Sequence, residues 1–220
     1  MRKTHWLLRW ALLGILVTPA VASAQSAGAT APIPRLDASA ALGWFSANEG
    51  EVVPSDNWYN RSLSSSVSFG YYWTEHLKTE IDTGLTTEAE LNEYQSLPRP
   101  SPTGAYLFGE HHFSTRYVAV GQQFQFLHNA WFHPYVGAGV GIESVRHTAE
   151  LSTYFPTRGP GASPAPVKIG PESKLRGLAF VNGGFKAYMT ERSFFRSDVR
   201  VGLDDHVKHV TVTFGFGIDF

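Results

Sequence analysis

The stretch Val210-Thr211-Val212-Thr213-Phe214-Gly215-Phe216-Gly217-Ile218-Asp219-Phe220 alternates without a break. Apolar and aromatic side chains take the even positions, and small or polar ones take the odd positions. Successive side chains of an extended chain point to opposite faces, so the segment predicts a strand with one greasy face and one small, polar face. A soluble sheet turns such a greasy face to a core. A barrel in a membrane turns it to lipid and keeps the polar face for the lumen.

The other end of the chain helps to choose. Arg2, Lys3 and Arg9 form a basic head, Trp10 to Val17 an apolar run, and Ala22-Ser23-Ala24 a small-residue cleavage site after Pro19. This layout predicts a cleavable signal peptide over residues 1–24, with the mature chain starting near Gln25. The run falls short of the roughly 20 apolar residues that a helical anchor needs. No later run reaches that length either. An exported small fold often relies on disulfides, yet the chain has no cysteine. A closed, hydrogen-bonded barrel is another way to hold it together. With 18 Lys and Arg against 19 Asp and Glu, no basic surplus points to nucleic acid. A mildly negative mean hydropathy together with 21 glycines suits a barrel with a polar lumen and polar loops.

Residues 25–34 read as a flexible lead, and 35–220 as one barrel domain. Alternation then predicts strands over Arg35–Phe45, Arg61–Thr74, Leu77–Leu85, within Ala105–Phe126, over Pro134–Ala149, Lys174–Met189 and Phe195–Leu203, and the terminal segment. Turn formers and prolines predict loops over 46–60, 87–103 and 151–173, because proline cannot donate to a ladder. Short turns fall at 74–76, 128–130 and 190–193. The expected fold is therefore all-β: an eight-stranded antiparallel up-and-down transmembrane barrel. Its short turns lie on the periplasmic side and its long loops outside. An even strand count brings both ends of the barrel to the periplasmic side.

The face opposite the aliphatic residues carries Asp37, Lys78, Glu80, Asp82, Glu143, Lys186, Arg196, Asp198, Arg200 and Asp219. Mixed and nearly balanced signs are what a narrow lumen requires, since a buried charge without a partner is costly. A soluble barrel of the lipocalin kind would place that face in water and needs no such balance. An eight-stranded barrel is just wide enough for side chains to fill it. The expectation is a salt-bridged plug with no pore for sizeable solutes. The glycines at 137, 139 and 141 leave room for a bulky neighbour. Two aromatic girdles are expected, one from Tyr71, Tyr72, Trp73, Phe126, Trp131, Phe132, Tyr188, Phe194, Phe195 and Phe220. The other comprises Trp44, Phe45, Trp58, Tyr59, Tyr106 and Phe108.

With its export signal, the strand opening Pro134-Tyr135-Val136-Gly137-Ala138-Gly139-Val140-Gly141 and the terminal Val212-x-Phe214-x-Phe216-x-Ile218-x-Phe220, the mature chain resembles the small eight-stranded outer-membrane β-barrels. That group includes OmpX-like, OmpW-like and OmpA-membrane-domain-like proteins. The resemblance implies an outer-membrane location in a Gram-negative cell, reached through the periplasm, with lipid and lipopolysaccharide as surroundings. It also implies that Phe214, Phe216, Ile218 and Phe220 form the signal read by the barrel-assembly machinery, with periplasmic chaperones as partners on the way. The fold itself hosts adhesins, enzymes, channels and structural proteins.

Three further sets of residues carry possible chemistry. His112 and Ser114 share a strand face with Glu110, and alternate residues bring an imidazole near a hydroxyl. Eight-stranded lipid A deacylases use a histidine and a serine at this spacing, although Thr115 stands where that family has asparagine. His111 and His147 fall near one another on the lumen-facing parity and suit Zn²⁺ or Cu²⁺, or a pH-sensitive latch. His206 and His209 lie at another outer hairpin. No cofactor is expected. The long loops, stiffened by proline, suit contacts with an external partner. The function expected is thus structural or surface-interacting, with a deacylase-like hydrolase or a narrow channel as alternatives.

Overall fold

The computed structural model describes residues 35–48, 58, 61–96, 106–126, 131–154, 166–204 and 207–220. The expected signal peptide and lead lie outside these residues. So do His206, the side chains of Tyr59 and Tyr106, and most of the predicted loops.

Among the described residues nine strand segments form one antiparallel sheet: β1 (Leu36–Ala47), β2 (Ser62–Tyr72), β3 (Leu77–Thr86), β4 (Ala89–Ser96), β5 (Tyr106–Gln125), β6 (Phe132–Tyr154), β7 (Val167–Tyr188), β8 (Ser193–Leu203) and β9 (Val207–Asp219). β3 and β4 are one stave interrupted at Thr87-Glu88, for both pair with β5. β9 pairs with β8 on one side and β1 on the other, and β3 joins β2 to β5, so eight staves close on themselves. Closure leaves no edge through the barrel wall.

The alternation read from sequence sets which way each side chain points. On β9 Phe214, Phe216 and Ile218 are exposed, while Gly215, Gly217 and Asp219 are buried. Leu42, Val67, Phe69, Ile81, Val118, Val120, Val136, Ile142, Val181 and Val199 are likewise exposed around the outside. The lumen takes the ionic set instead: Lys78 and Lys186 are fully buried, and Asp37, Glu80, Asp82, Glu143, Arg196, Asp198 and Arg200 nearly so. This molecule is therefore greasy outside and ionic within.

At the lower rim two turns share one construction. Thr74 Oγ1 accepts from the backbone N–H groups of His76 and Leu77, and Thr190 Oγ1 does the same for Arg192 and Ser193. Each Thr-Glu turn thus satisfies its own donors and fixes the register of the hairpin it closes. Leu36 and Phe220 exchange backbone hydrogen bonds at the same rim.

The upper rim is uneven. β5, β6 and β7 run for 20, 23 and 22 residues, about twice the nine to eleven that cross a bilayer. With β4 they rise beyond β1, β2, β8 and β9 as a four-stranded sheet.

Two loop expectations are thereby corrected. The segment 87–103 contains β4, and 151–173 contains the end of β6 and the start of β7. A ladder with water on its outer face needs no apolar residues there, so Glu90, one of the glutamates that suggested a loop, sits exposed in β4. Pro171 is accommodated at a bulge where His147 pairs with Glu172 and Ala149 with Ile169. Gly170 supplies the positive φ of 98° there. Strand bounds shift accordingly: β7 begins at Val167 instead of Lys174, and β6 ends at Tyr154 instead of Ala149.

Candidate functional site: a filled lumen and the projecting sheet

The lumen is packed in tiers, each built from inward-facing positions of several strands. In the lowest, Lys78 Nζ donates to Asp37 at 3.0 Å and to Glu80 at 2.5 Å. Lys186 bonds to Asp37 and, at 2.5 Å, to the Tyr72 hydroxyl. Its ammonium also lies 4.0 Å from the centre of the Phe194 ring, a cation–π contact in a dry setting. Tyr72 donates to Asp37 at 2.9 Å, and Tyr188 donates to Asp219.

In the middle tier Arg196 meets Glu80 through both terminal nitrogens, at 2.8 and 2.7 Å. Its Nε donates to the Tyr135 hydroxyl at 2.8 Å, and that hydroxyl donates to Asp198 at 2.8 Å. Asn182 adds a bond to Asp198 at 2.9 Å, and Gln123 one to Glu80 at 2.9 Å.

Above it Arg200 bonds to Asp82, which also accepts from Tyr117 at 3.2 Å. The Arg200 guanidinium stacks 4.4 Å from the Phe180 ring centre. Phe180 needs the glycines facing it: a Cβ at Gly139 would lie 2.5 Å from its Cζ, and one at Gly121 3.1 Å. Higher still, Arg176 donates to Glu143 at 2.5 Å.

Among the described residues, six inward carboxylates (Asp37, Glu80, Asp82, Glu143, Asp198, Asp219) thus meet five cations (Lys78, Lys186, Arg176, Arg196, Arg200), while the buried Lys208 pairs with Asp204 at 3.6 Å. Such matching is the condition for holding charges out of water. Open space is scarce: between Asp82, Arg200, Arg196 and Ser66 the void measures about 20 Å³. That is room for about one water.

An apolar layer closes the upper mouth. Phe45, Ala47, Ala89, Leu91, Phe113 and Val145 are all buried together. The Phe45 and Phe113 rings stack at 6.1 Å with 6° between their planes.

Four girdle expectations fail here. Phe45, Tyr72, Tyr188 and Phe194 point into the barrel, as the parity of their strands dictates. Nearness to a strand end was a weaker guide than odd or even position. Trp44, Tyr71, Trp73, Phe126, Trp131 and Phe220 do face outward and are exposed. Tyr72, Tyr135, Arg176 and Phe180 are interior contributors that sequence reasoning passed over. The period-two pattern would have found each of them.

The other candidate residues sit on the projecting sheet. His111 and His147 share its inner face, with Nδ1 of one 3.2 Å from Nε2 of the other and the rings stacked. Glu110, His112 and Ser114 share its outer face. His112 Nε2 lies 3.3 Å from Glu110 and its Nδ1 4.0 Å from Glu88, and among the described residues Nδ1 has no hydrogen-bond partner, so Ser114 is not joined to it. One arm of a His–carboxylate–Ser arrangement is present and the nucleophile's arm is not. Glu90, Glu110 and His112 place one ligand atom each within 4.8 Å of one another. Two carboxylates and an imidazole are a donor set suited to Zn²⁺ or Mn²⁺. Glu90 entered this set only because β4 is a strand. Phe214, Phe216, Ile218 and Phe220, expected as the assembly signal, form an exposed outward row on β9 and just beyond it.

No family model and no curated protein sequence matches the chain. Solved structures do. The N-terminal β-barrel domain of Pseudomonas aeruginosa OprF is 13% identical, covering 86% of this chain and 99% of that one, with a TM-score of 0.46. Ail, the attachment invasion locus protein of Yersinia pestis, is 13% identical over 84% and 99%, with a TM-score of 0.47. Neisserial surface protein A is 14% identical over 84% and 96%, with a TM-score of 0.45.

Proposed function

For a chain with this closed eight-stranded architecture, we propose a sealed outer-membrane barrel that carries its projecting β4–β7 sheet outside the cell as a contact surface. The location follows from the inverted packing, because an exposed apolar band around a barrel is stable only against acyl chains. Bulk transport does not suit a lumen whose tiers of ion pairs are capped by an apolar layer. The observation that carries the surface role is the length of β5, β6 and β7. Half of each strand is more than a membrane crossing uses, and that half is ordered sheet. Residues 167–178 of β7 have no ladder partner on the β8 side among the described residues. They hold up Val167, Ile169 and Leu175 exposed. An external partner or a neighbouring cell surface would meet this sheet first.

Single cysteines test the arrangement. On intact cells a membrane-impermeant maleimide should label Lys168→Cys, while Glu191→Cys should react only after the outer membrane is permeabilised. Removal of residues 149–170 should keep the folded barrel, seen as heat-modifiable gel mobility, and should abolish adhesion between cells or to a surface. Unchanged adhesion by that variant would contradict the contact role. Stepwise conductance of the wild type in planar bilayers would contradict the sealed lumen.

A further inference from the structure

We propose that Arg116 and Arg146 hold the phosphate group of an outer-leaflet lipid; the inference rests on the outer-membrane reading above. Arg116 lies between Ser114 and Val118 on the outward face of β5, and Arg146 between Ser144 and Thr148 on the outward face of β6. The ladder pairs Arg116 with Ser144 and Ser114 with Arg146. The two arginines are thus diagonal neighbours on one surface, about 7–8 Å apart, with a serine opposite each.

Both are exposed. Neither has an ion-pair partner among the described residues. The nearby outward carboxylates Glu150, Glu110 and Glu88 face other groups: Glu150 faces Lys168 at 3.3 Å, Glu110 faces His112 Nε2 at 3.3 Å and Glu88 faces His112 Nδ1 at 4.0 Å. Two adjacent like charges repel, and an anion seated between them would relieve that repulsion.

Their height says which anion. Ten positions separate Phe126, at the lower aromatic rim, from Arg116. At 3.3 Å per residue and a tilt near 40° this is about 25 Å, the height of a lipid-facing band. The guanidinium groups therefore stand at the upper polar boundary, directly above the exposed Val118 and Ile142. A shallow apolar groove of about 790 Å³, lined by Leu42, Val67, Leu85, Val118 and Phe216 among others, is also lined by Arg116 and Ser144. Acyl chains lie along such a groove, and their headgroup then falls between the arginines. Guanidinium forks match phosphate oxygens two at a time, and the Ser114 and Ser144 hydroxyls are placed to donate as well.

Native mass spectrometry of the mature chain in nonionic micelles tests this with phosphatidic acid and phosphatidylcholine of equal chain length, and with glycerol phosphate. Wild type should retain phosphatidic acid with a preference of about tenfold over phosphatidylcholine, as a charge-assisted bidentate contact provides. Arg116→Gln/Arg146→Gln should bring that ratio to near one, and Arg116→Lys/Arg146→Lys should keep part of it. Soluble glycerol phosphate should not be retained. Undiminished preference in the glutamine variant overturns the site. Glycerol phosphate retained as well as phosphatidic acid overturns its assignment to lipid. Heat-modifiable mobility confirms folding, and the lysine variant serves if the glutamine variant does not fold. Failure of the wild type to insert into vesicles would instead overturn the membrane reading. Insertion without lipid preference overturns this site alone.

Discussion

Arg196 of β8 grips Glu80 of β3 across the full width of the lumen, its two terminal nitrogens 2.8 and 2.7 Å from the two carboxylate oxygens. Both side chains are almost wholly buried. Glu80 also accepts from Lys78 and Gln123, so one carboxylate links three strands.

Breaking this pair leaves a charge without water or partner. Arg196→Ala should lower stability by about 3–5 kcal/mol, measured by urea unfolding from vesicles. Replacing both partners with apolar residues, Glu80→Leu with Arg196→Met, should recover much of that loss, since the desolvation cost leaves along with the attraction. A double replacement as harmful as the single one would mean that the ionic tier adds net stability of its own.

The outer face makes the opposite demand. Val140→Arg, in the middle of the apolar band, should cost about 2–4 kcal/mol in vesicles. Ser173→Arg, on the exposed part of β7 above the band, should change stability by less than about 0.5 kcal/mol. Equal costs at the two positions would place the membrane boundary elsewhere.

Phe180 fills the space that Gly121 and Gly139 leave. Gly139→Val should be destabilising by about 1–3 kcal/mol, because the new side chain meets the Phe180 ring and the Val120 carbonyl. Phe180→Ala should cost about 3–5 kcal/mol by opening a cavity and uncovering Arg200. The same unfolding assay reads both, and a neutral Gly139→Val would show that the ring can move aside.

Much of this architecture is written in odd and even positions. Asp37, Glu80 and Arg196 declare themselves interior because each alternates with aliphatic neighbours, and the pattern repeats in every stave. In the projecting sheet above the ionic lumen that rule loses its force. Glu90 of β4 and Lys168 of β7 lie in strands that meet water on the outside, so their polarity resembled that of a loop. Pro171 hid a strand by occupying a bulge. Phe45 and Phe194 were legible by parity but were assigned by their closeness to a rim. The pairing of Glu80 with Arg196, unlike their shared orientation, depends on register between strands far apart in the chain. Spacing along one segment does not encode it.

The central claim is that oily side chains look out at lipid while the ionic and tyrosine side chains meet inside. Proton–proton contacts between lipid acyl chains and the methyl-bearing or aromatic side chains of the protein in bilayer nanodiscs test this most directly. The account predicts contacts from acyl methylenes to Val140, Val181 and Phe216, and none to Tyr135, Phe180 or Phe194. Acyl contacts at Tyr135 and Phe194, with Val140 and Phe216 silent, would contradict it.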